Sequence, residues 1–140
     1  MGQFSPDGQW IAYVSDESGQ YEVYVQQVSG AGKQKISSRR GTQPRWRRDG
    51  RELFYMEAGP RYQWMSVAVQ IGPGDILKLG QPKPLFNRES FTNAPPANGF
   101  VYSSSNDGQR LLVNTPSDPV GTLNVITNWE KASSTSKPPE

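Results

Sequence analysis

The 140-residue chain contains no cysteine and no histidine. Without thiols there are no disulfides, thiolate metal ligands or cysteine nucleophiles. Without imidazole there is no Ser/His/Asp relay, no histidine metal ligand and no histidine pH switch. Catalysis by this chain would have to rely on carboxylates, lysine, tyrosine or a cofactor. We therefore predict a chain that is not an enzyme, and we predict neither a metal site nor a cofactor.

Long apolar runs are missing as well. No stretch of about 18 apolar residues is present, so we predict no membrane span in this chain. The first residues, MGQFSPDG, are neither basic nor apolar enough for a signal peptide. They lead directly into a repeated pattern, and we expect the chain to begin inside a larger architecture.

The composition is that of a single folded domain. The apolar content of 34% and the aromatic content of 11% are enough for a modest core. The net charge of +2 is mildly basic, and it neither requires nor excludes an anionic partner.

An internal repeat is anchored on three Asp-Gly pairs. Asp7, Asp49 and Asp107 lie 42 and 58 residues apart. Each pair is followed by one β-type run, and a second run begins about 15 residues after each Asp. Weaker runs precede each pair and close the first two repeats, whereas helix signals are nearly absent. The extra length of the second repeat is assigned to loops, at Gly72-Pro73-Gly74 and between positions 87 and 98.

The turn chemistry explains why Asp-Gly recurs. In Ser5-Pro6-Asp7-Gly8, proline fixes φ, aspartate bonds nearby backbone and glycine accepts positive φ, so two strands can reverse tightly. We assign these pairs to turns and not to catalysis. The sequence thus predicts an all-β fold of about three units, each of four short antiparallel strands, at residues 3–38, 42–87 and 99–129.

The repeated sequence pattern resembles that of a known family. SPDGQWIAYVS followed by YEVYV, and then GTQPRWRRDGRELFY, resemble TolB-like β-propeller repeats, which are relatives of WD repeats. They are similar in particular to the C-terminal propeller of bacterial receptor-type serine/threonine kinases. The resemblance covers residues 4 to about 129 and implies a partial propeller whose third blade lacks its outer strand. Residues 131–140 are a polar tail that we predict to be disordered.

The kinase side of this resemblance has no counterpart within the chain. The sequence has no glycine-rich phosphate loop followed by a strand lysine, no His-Arg-Asp and no Asp-Phe-Gly. If the chain belongs to such a receptor, the kinase and membrane segments lie upstream and the propeller is extracytoplasmic.

Three blades are too few to close a ring. An open arc leaves two apolar blade faces in water, which favours association. We predict a homo-oligomer, with a dimer favoured: two chains supply three blades each, and each first blade packs on the partner's third. An irregular or domain-swapped oligomer is the alternative.

A cluster of arginines is the most conspicuous candidate site. Six arginines lie within a stretch of thirteen positions around Trp46. The guanidinium group of arginine can bind phosphate or the carboxylates of an acidic peptide through paired hydrogen bonds. Strand alternation places Arg45 and Arg47 on the face opposite Trp46, where the first strand of a blade lines the central channel. The alternative is that these arginines are solvated turn and edge residues. We take Arg45, Arg47 and Arg48 as the candidate anion or partner contacts and predict no nucleic-acid partner.

The function that follows is a noncatalytic interaction or sensor module, which presents its ring face to a protein or small ligand. An accessory propeller of a hydrolase, as in prolyl-oligopeptidase relatives, is one alternative. A propeller fragment without independent function is another.

Overall fold

The computed structural model describes residues 1–59, 62–87, 100–115 and 122–127, and every regular element in them is a β-strand. No helix that could cross a bilayer occurs in these ranges. The strands are β1 (Gly2–Phe4), β2 (Trp10–Ser15), β3 (Glu22–Gln27), β4 (Gln34–Lys35), β5 (Gly41–Trp46), β6 (Glu52–Glu57), β7 (Gln63–Gly72), β8 (Ile76–Leu79), β9 (Lys83–Asn87), β10 (Tyr102–Ser104), β11 (Arg110–Thr115) and β12 (Thr122–Thr127).

These strands form three antiparallel sheets, which we call blades 1, 2 and 3. Blade 1 has the order β1-β2-β3-β4, and blade 3 has the order β10-β11-β12 in its described part. Blade 2 has the order β5-β6-β7-β8, with β9 also paired to β7. Each blade starts with a short inner strand that is joined by an Asp-Gly turn to the next strand.

The three Asp-Gly turns have the predicted geometry. Gly8, Gly50 and Gly108 have φ values of 71°, 71° and 70°, a region that residues with a side chain rarely adopt. In blade 1 the Ser5 hydroxyl donates to Asp7, whose Oδ1 also accepts the Gln9 N–H. Blade 3 repeats this arrangement with Ser105, Asp107 and Gln109. The turns therefore lie at one end of every blade, and we call that end the turn side.

Two apolar clusters hold the blades together. Strand alternation gives each blade a rear face toward the lower-numbered blade and a front face toward the higher-numbered one. The cluster between blades 1 and 2 joins the front of blade 1 to the rear of blade 2, and it includes Trp10, Val25, Leu53 and Tyr55. The cluster between blades 2 and 3 is more aromatic, with members that include Phe54, Trp64, Tyr102 and Leu111.

Blade 2 departs from the sequence prediction. The stretch assigned to a loop around Gly72-Pro73-Gly74 is the tip of a hairpin, in which Ile71 pairs with Leu77. This hairpin contacts blade 1, because the side-chain amides of Gln34 and Gln27 donate to the backbone carbonyls of Leu77 and Asp75. Blade 2 thus has five strands instead of four. Most of the second predicted loop, and the polar tail, lie outside the described residues.

The linker from blade 1 to blade 2 is held by two buried carboxylates. Glu22 accepts hydrogen bonds from the Ser37 hydroxyl and the Gln20 side-chain amide. Glu57 accepts three bonds from Ser38 and Arg39, including both backbone N–H groups. These carboxylates satisfy donors where the chain leaves one sheet for the next. The linker therefore fixes where β5 begins.

Candidate binding cleft where the inner strands converge

All three blades line a cleft on the turn side, with a volume of about 270 Å³. Its walls come from the inner strands and the first residues of the turns: Gln3, Phe4, Pro6, Arg45, Trp46, Arg48, Ser103, Ser104, Ser105 and Asn106. None of these lining residues is acidic. The cleft combines two cations with hydroxyl and amide groups, so its character is that of a site for an anion.

The central wall of the cleft is β5, which has an irregular backbone. Gln43 has a φ of 60° and is fully buried, and the pairing with β6 shifts register between Thr42 and Arg45. Gln43 accepts two hydrogen bonds from blade 3. Its side-chain Oε1 accepts the Val101 N–H, and its backbone carbonyl accepts the Tyr102 hydroxyl. The bulge therefore fixes the direction of the side chains that follow it.

After this bulge the strand alternates as the sequence predicts. The side chain of Trp46 points to blade 1. The backbone N–H of Trp46 donates to Gln3 Oε1 at 2.9 Å, and its indole N–H donates to the backbone carbonyl of Gln3 at 3.2 Å. Arg45 points to blade 3, and its guanidinium lies 3.4 Å from the centroid of the Phe100 ring. The side chain of Arg47 also runs along blade 3, against Gly108.

Arg45 is a partly desolvated cation without a counter-ion among the described residues. It makes no ion pair with any described residue, and its buried Nε has no hydrogen-bond partner there. Burial lowers the pKa of Arg45, and Tyr102 has a smaller effect in the opposite direction. Arginine stays charged at neutral pH even so. A buried positive charge of this kind is stabilised by an anion placed beside it.

Arg48 lies at the mouth of the same cleft and is exposed. It is followed along the chain by the Asp-Gly turn of blade 2, and no described carboxylate pairs with it. The opposite wall is the run Ser103 to Asn106, whose hydroxyls and amide are potential donors. Arg48 is thus the most accessible of the three predicted contacts.

Arg47 has a different environment from its two neighbours. Its guanidinium bonds both Asp49 oxygens, at 2.9 and 2.5 Å, and Glu52 at 3.2 Å. It stands two residues before Asp49, where blades 1 and 3 have Ser5 and Ser105. The side-chain hydrogen bonds to Arg47 lower the pKa of Asp49, and the same contacts raise the pKa of Arg47. Arg47 takes over the role of the turn serine, and its charge is neutralised locally.

The six arginines do not form one patch. Arg39 and Arg40 precede β5, whereas Arg47 and Arg48 follow it. A six-residue strand separates these two groups, which is roughly 15–20 Å at the rise of a β-strand. Arg51 lines a separate, larger cleft of about 540 Å³ between blades 1 and 2, which also contains Asp7 and Asp49. Only Arg45 and Arg48 line the central cleft.

The fold that presents this cleft is an arc of a β-propeller. It is all-β in its described part, with antiparallel sheets packed face to face and an inner strand at the start of each. The predicted fold class, a partial propeller of about three blades, is confirmed by this arrangement and by similarity to solved propellers.

The chain is similar to TolB from Acinetobacter baumannii, with a TM-score of 0.60 and 16% identity over 90% of this chain and 29% of that one. It is also similar to the β-propeller domain of the Trilobed protease from Pyrococcus furiosus, with a TM-score of 0.55 and 16% identity over 89% and 38% of the two chains. A third similar structure is acylaminoacyl peptidase from Pyrococcus horikoshii, with a TM-score of 0.54 and 16% identity over 82% and 16%. The chain thus spans much less than half of each protein.

No protein-family model and no curated protein matches the sequence. At these levels of identity, the structural similarities show the fold alone. The cleft must therefore be understood from its own residues.

Two contributors to the cleft were missed in the sequence. Phe100, which stacks on Arg45, lies 55 positions further along the chain, so no local pattern links them. The Ser103 to Asn106 run carried a usable signal, because it occupies the inner-strand position just before the third Asp-Gly pair. Aligning this run with Arg45 and Arg48 would have placed the run and the two arginines at the same end of their blades.

Proposed function

We propose that this chain is a noncatalytic binding module that takes an anionic group, a carboxylate or a phosphate, in the cleft where the three inner strands converge. The observation that carries the proposal is Arg45, a partly buried cation that no described carboxylate pairs with, in a cleft whose described lining contains no acidic residue. An anion bound beside Arg45 would offset the solvation by water that its guanidinium loses on burial. Hydrogen bonds to a charged partner are also among the stronger polar contacts.

The roles of the three predicted arginines differ in this proposal. Arg45 supplies a charge held against Phe100, and Arg48 supplies an exposed charge at the entrance. Arg47 would first have to release Asp49 before it could contact a ligand. We therefore assign Arg47 a structural role, which is to stabilise the turn next to Arg48 through its bonds to Asp49.

Titration with inorganic phosphate, followed by NMR of the arginine Nε–H groups, tests this proposal. We expect the Arg45 signal to move on addition of phosphate, and we expect Arg48→Ala to weaken the apparent affinity on the order of tenfold. Arg39→Ala is the matched control, because Arg39 is an exposed arginine at the opposite end of β5. If the Arg45 signal is unaffected up to high millimolar phosphate, or if Arg39→Ala weakens binding equally, the cleft is not the site.

Self-association is the second part of the proposed function. Apolar side chains are exposed on the outer faces of blades 1 and 3: Phe4 is 60% exposed, and Leu112 and Val125 are 42% and 60% exposed. Exposed apolar surface of this kind favours association. The test is the solution mass by light scattering, for which we expect about twice the 15.6 kDa of one chain.

An accessory propeller of a hydrolase is the second candidate function. It is favoured by the peptidase and the protease propeller domain among the similar structures. A Gly-x-Ser-x-Gly nucleophile motif in the same polypeptide would support this candidate, whereas a kinase catalytic loop would support an extracytoplasmic sensor of a receptor kinase.

A further inference from the structure

The outer faces of blades 1 and 3 carry the same kind of residue pair that the internal interfaces bury. On the front face of blade 1, Ala12 pairs with Val25, and both are fully buried against blade 2. The same position on blade 2 is the pair of Phe54 and Ser66, which is buried on the blade 3 side.

On blade 3 that position is the pair of Leu112 and Val125. It lies on the front face, and both side chains are exposed. Leu112 follows Asp107 by the same five residues that separate Ala12 from Asp7 and Phe54 from Asp49. Blade 3 therefore carries an apolar pair at a position where no further blade covers it in the described structure.

The rear faces show the complementary pattern. On blade 2 the rear pair of Trp46 and Leu53 is buried against blade 1. Its equivalent on blade 1 is the pair of Phe4 and Ile11, of which Phe4 is largely exposed. Trp46 contacts Gln3 across the internal interface, and the residue equivalent to Gln3 on blade 3 is Ser103. At these positions, Phe4 on the rear face of blade 1 corresponds to Trp46, and Ser103, Leu112 and Val125 on the front face of blade 3 correspond to Gln3, Ala12 and Val25.

We propose that the front face of blade 3 packs on the rear face of blade 1 in a second copy of this chain, with Phe4 of one copy set against Ser103, Leu112 and Val125 of the other. The inference rests on the proposed self-association and specifies its surfaces and direction. The contact is head-to-tail, because front and rear faces differ, and two such contacts related by a two-fold axis close a six-bladed ring. It continues the stacking already present between blades 1, 2 and 3.

The rear face of blade 1 also carries polar groups that distinguish it from an ordinary core surface. Tyr13 stacks on Tyr24 and donates its hydroxyl to Gln26, and Lys33 lies over the Tyr24 ring. At the equivalent positions on the rear face of blade 2 are Tyr55, Met65 and Val67, which are all buried. Tyrosine is enriched at interfaces between proteins, where one end is buried and the hydroxyl keeps a partner. The rear face of blade 1 is therefore suited to a contact between separate chains.

Charge substitutions on each face test the inference. Val125→Lys and Phe4→Glu each place a charge in both contacts of the ring, and we expect each to weaken the dimer by about a hundredfold or more. Ile76→Lys is the matched control: Ile76 is 59% exposed but lies on the blade 2 hairpin, and this variant should remain a dimer. Far-UV circular dichroism confirms that each variant is folded, and Leu112→Glu provides a second front-face change.

Mixing the two face variants tests the direction of the contact. The front face of the Phe4→Glu chain and the rear face of the Val125→Lys chain are both unmodified, so head-to-tail packing leaves one intact contact in the mixed pair. We expect native mass spectrometry to show heterodimers in the equimolar mixture, although neither variant dimerises alone.

The outcomes separate the inference from the proposed function. A monomeric wild type would remove the proposed self-association and the inference with it. A dimeric wild type that survives Phe4→Glu but not Val125→Lys would mean front-to-front packing, and would overturn the inference while self-association stands. A mass that keeps rising with concentration would overturn the closed two-copy ring.

Discussion

The two internal interfaces occupy equivalent places in the repeat but are stabilised in different ways. Between blades 1 and 2 the contact is mainly aliphatic, although it includes Trp10, Trp46 and Tyr55, and it is reinforced by the β7–β8 hairpin, whose Leu77 enters the core. The interface of blades 2 and 3 is more aromatic: Trp64 stacks on Phe86 of its own blade with ring centroids 5.0 Å apart, and it lies edge-on to Tyr102 of blade 3 at 6.4 Å. Equivalent positions therefore do not imply equivalent energetics.

The difference begins at the inner strands. On the rear face of blade 2, Trp46 contacts Gln3 of blade 1 through two hydrogen bonds. The equivalent rear residue of blade 3 is Ser104, which is too small to fill the same volume. At this second interface Arg45 and Phe100 occupy the space instead. Ser104 is one of the residues that line the central cleft, so the smaller side chain at this position leaves room for it.

The largest expected effect is the loss of the aromatic cluster. Trp64→Ala removes a fully buried indole from the interface of blades 2 and 3, and we expect the free energy of unfolding to fall by about 3–5 kcal/mol. Urea denaturation followed by circular dichroism measures this. A loss below about 1 kcal/mol would mean that blade 3 contributes little to the cooperative unit.

Truncating the hairpin contact gives the next largest effect. Leu77→Ala removes a buried side chain that joins β8 to the core of blades 1 and 2. We expect a loss of about 2–3 kcal/mol, at the lower end of the range for leucine, since the site lies at a sheet edge. The control is Ile76→Ala, whose exposed side chain should contribute less than about 0.5 kcal/mol. Equal effects of the two variants would show that the hairpin does not fasten the blades.

Two tyrosine hydroxyls sharpen the comparison. Tyr102 donates to the Gln43 carbonyl at 2.7 Å, and Tyr102→Phe leaves that buried acceptor without this donor, at a cost of about 1–3 kcal/mol. The buried Tyr55 hydroxyl has no hydrogen-bond partner in the described structure. Tyr55→Phe should therefore be neutral or slightly stabilising. The same urea measurement applies, and a destabilised Tyr55→Phe would show that this hydroxyl has an undetected partner, such as a water molecule.

Alkaline pH should weaken both interfaces gradually. Burial raises the pKa of Tyr55 and of Tyr102 above the ordinary value of 10.0. Because the folded state favours the protonated phenol, this contribution is complete below the unfolded pKa and is lost as the pH rises above it. We expect the urea midpoint to begin to fall near about pH 10 and to keep falling as the pH rises further. The double variant Tyr55→Phe/Tyr102→Phe should show a flatter profile, and an unchanged slope would assign the effect to other groups.

The sequence was most informative where geometry is imposed locally. The three Asp-Gly turns require glycine at positive φ, so the pattern placed the inner and second strands of every blade. The alternation of side chains around Trp46 also gave the correct sides for Arg45 and Arg47. These predictions depend on residues only a few positions apart.

Features that depend on distant contacts could not be predicted in this way. Gly72-Pro73-Gly74 indicates a chain reversal, but it does not show that the flanking residues continue β7 and form β8. The positive φ of Gln43 carries no local signal, because its hydrogen bonds are made with Val101 and Tyr102.

The arrangement around β7 has a consequence for aggregation. An exposed edge of a ten-residue strand would offer its unpaired N–H and C=O groups to any passing extended chain. Here β9 pairs with one half of that edge and β8 with the other. Even the junction is closed, since the Gly80 N–H donates to the Ala68 carbonyl at 2.8 Å. The hairpin therefore protects the extra strand length that it introduces, and blade 2 gains contact with its neighbour without offering this edge as a template for amyloid-like pairing.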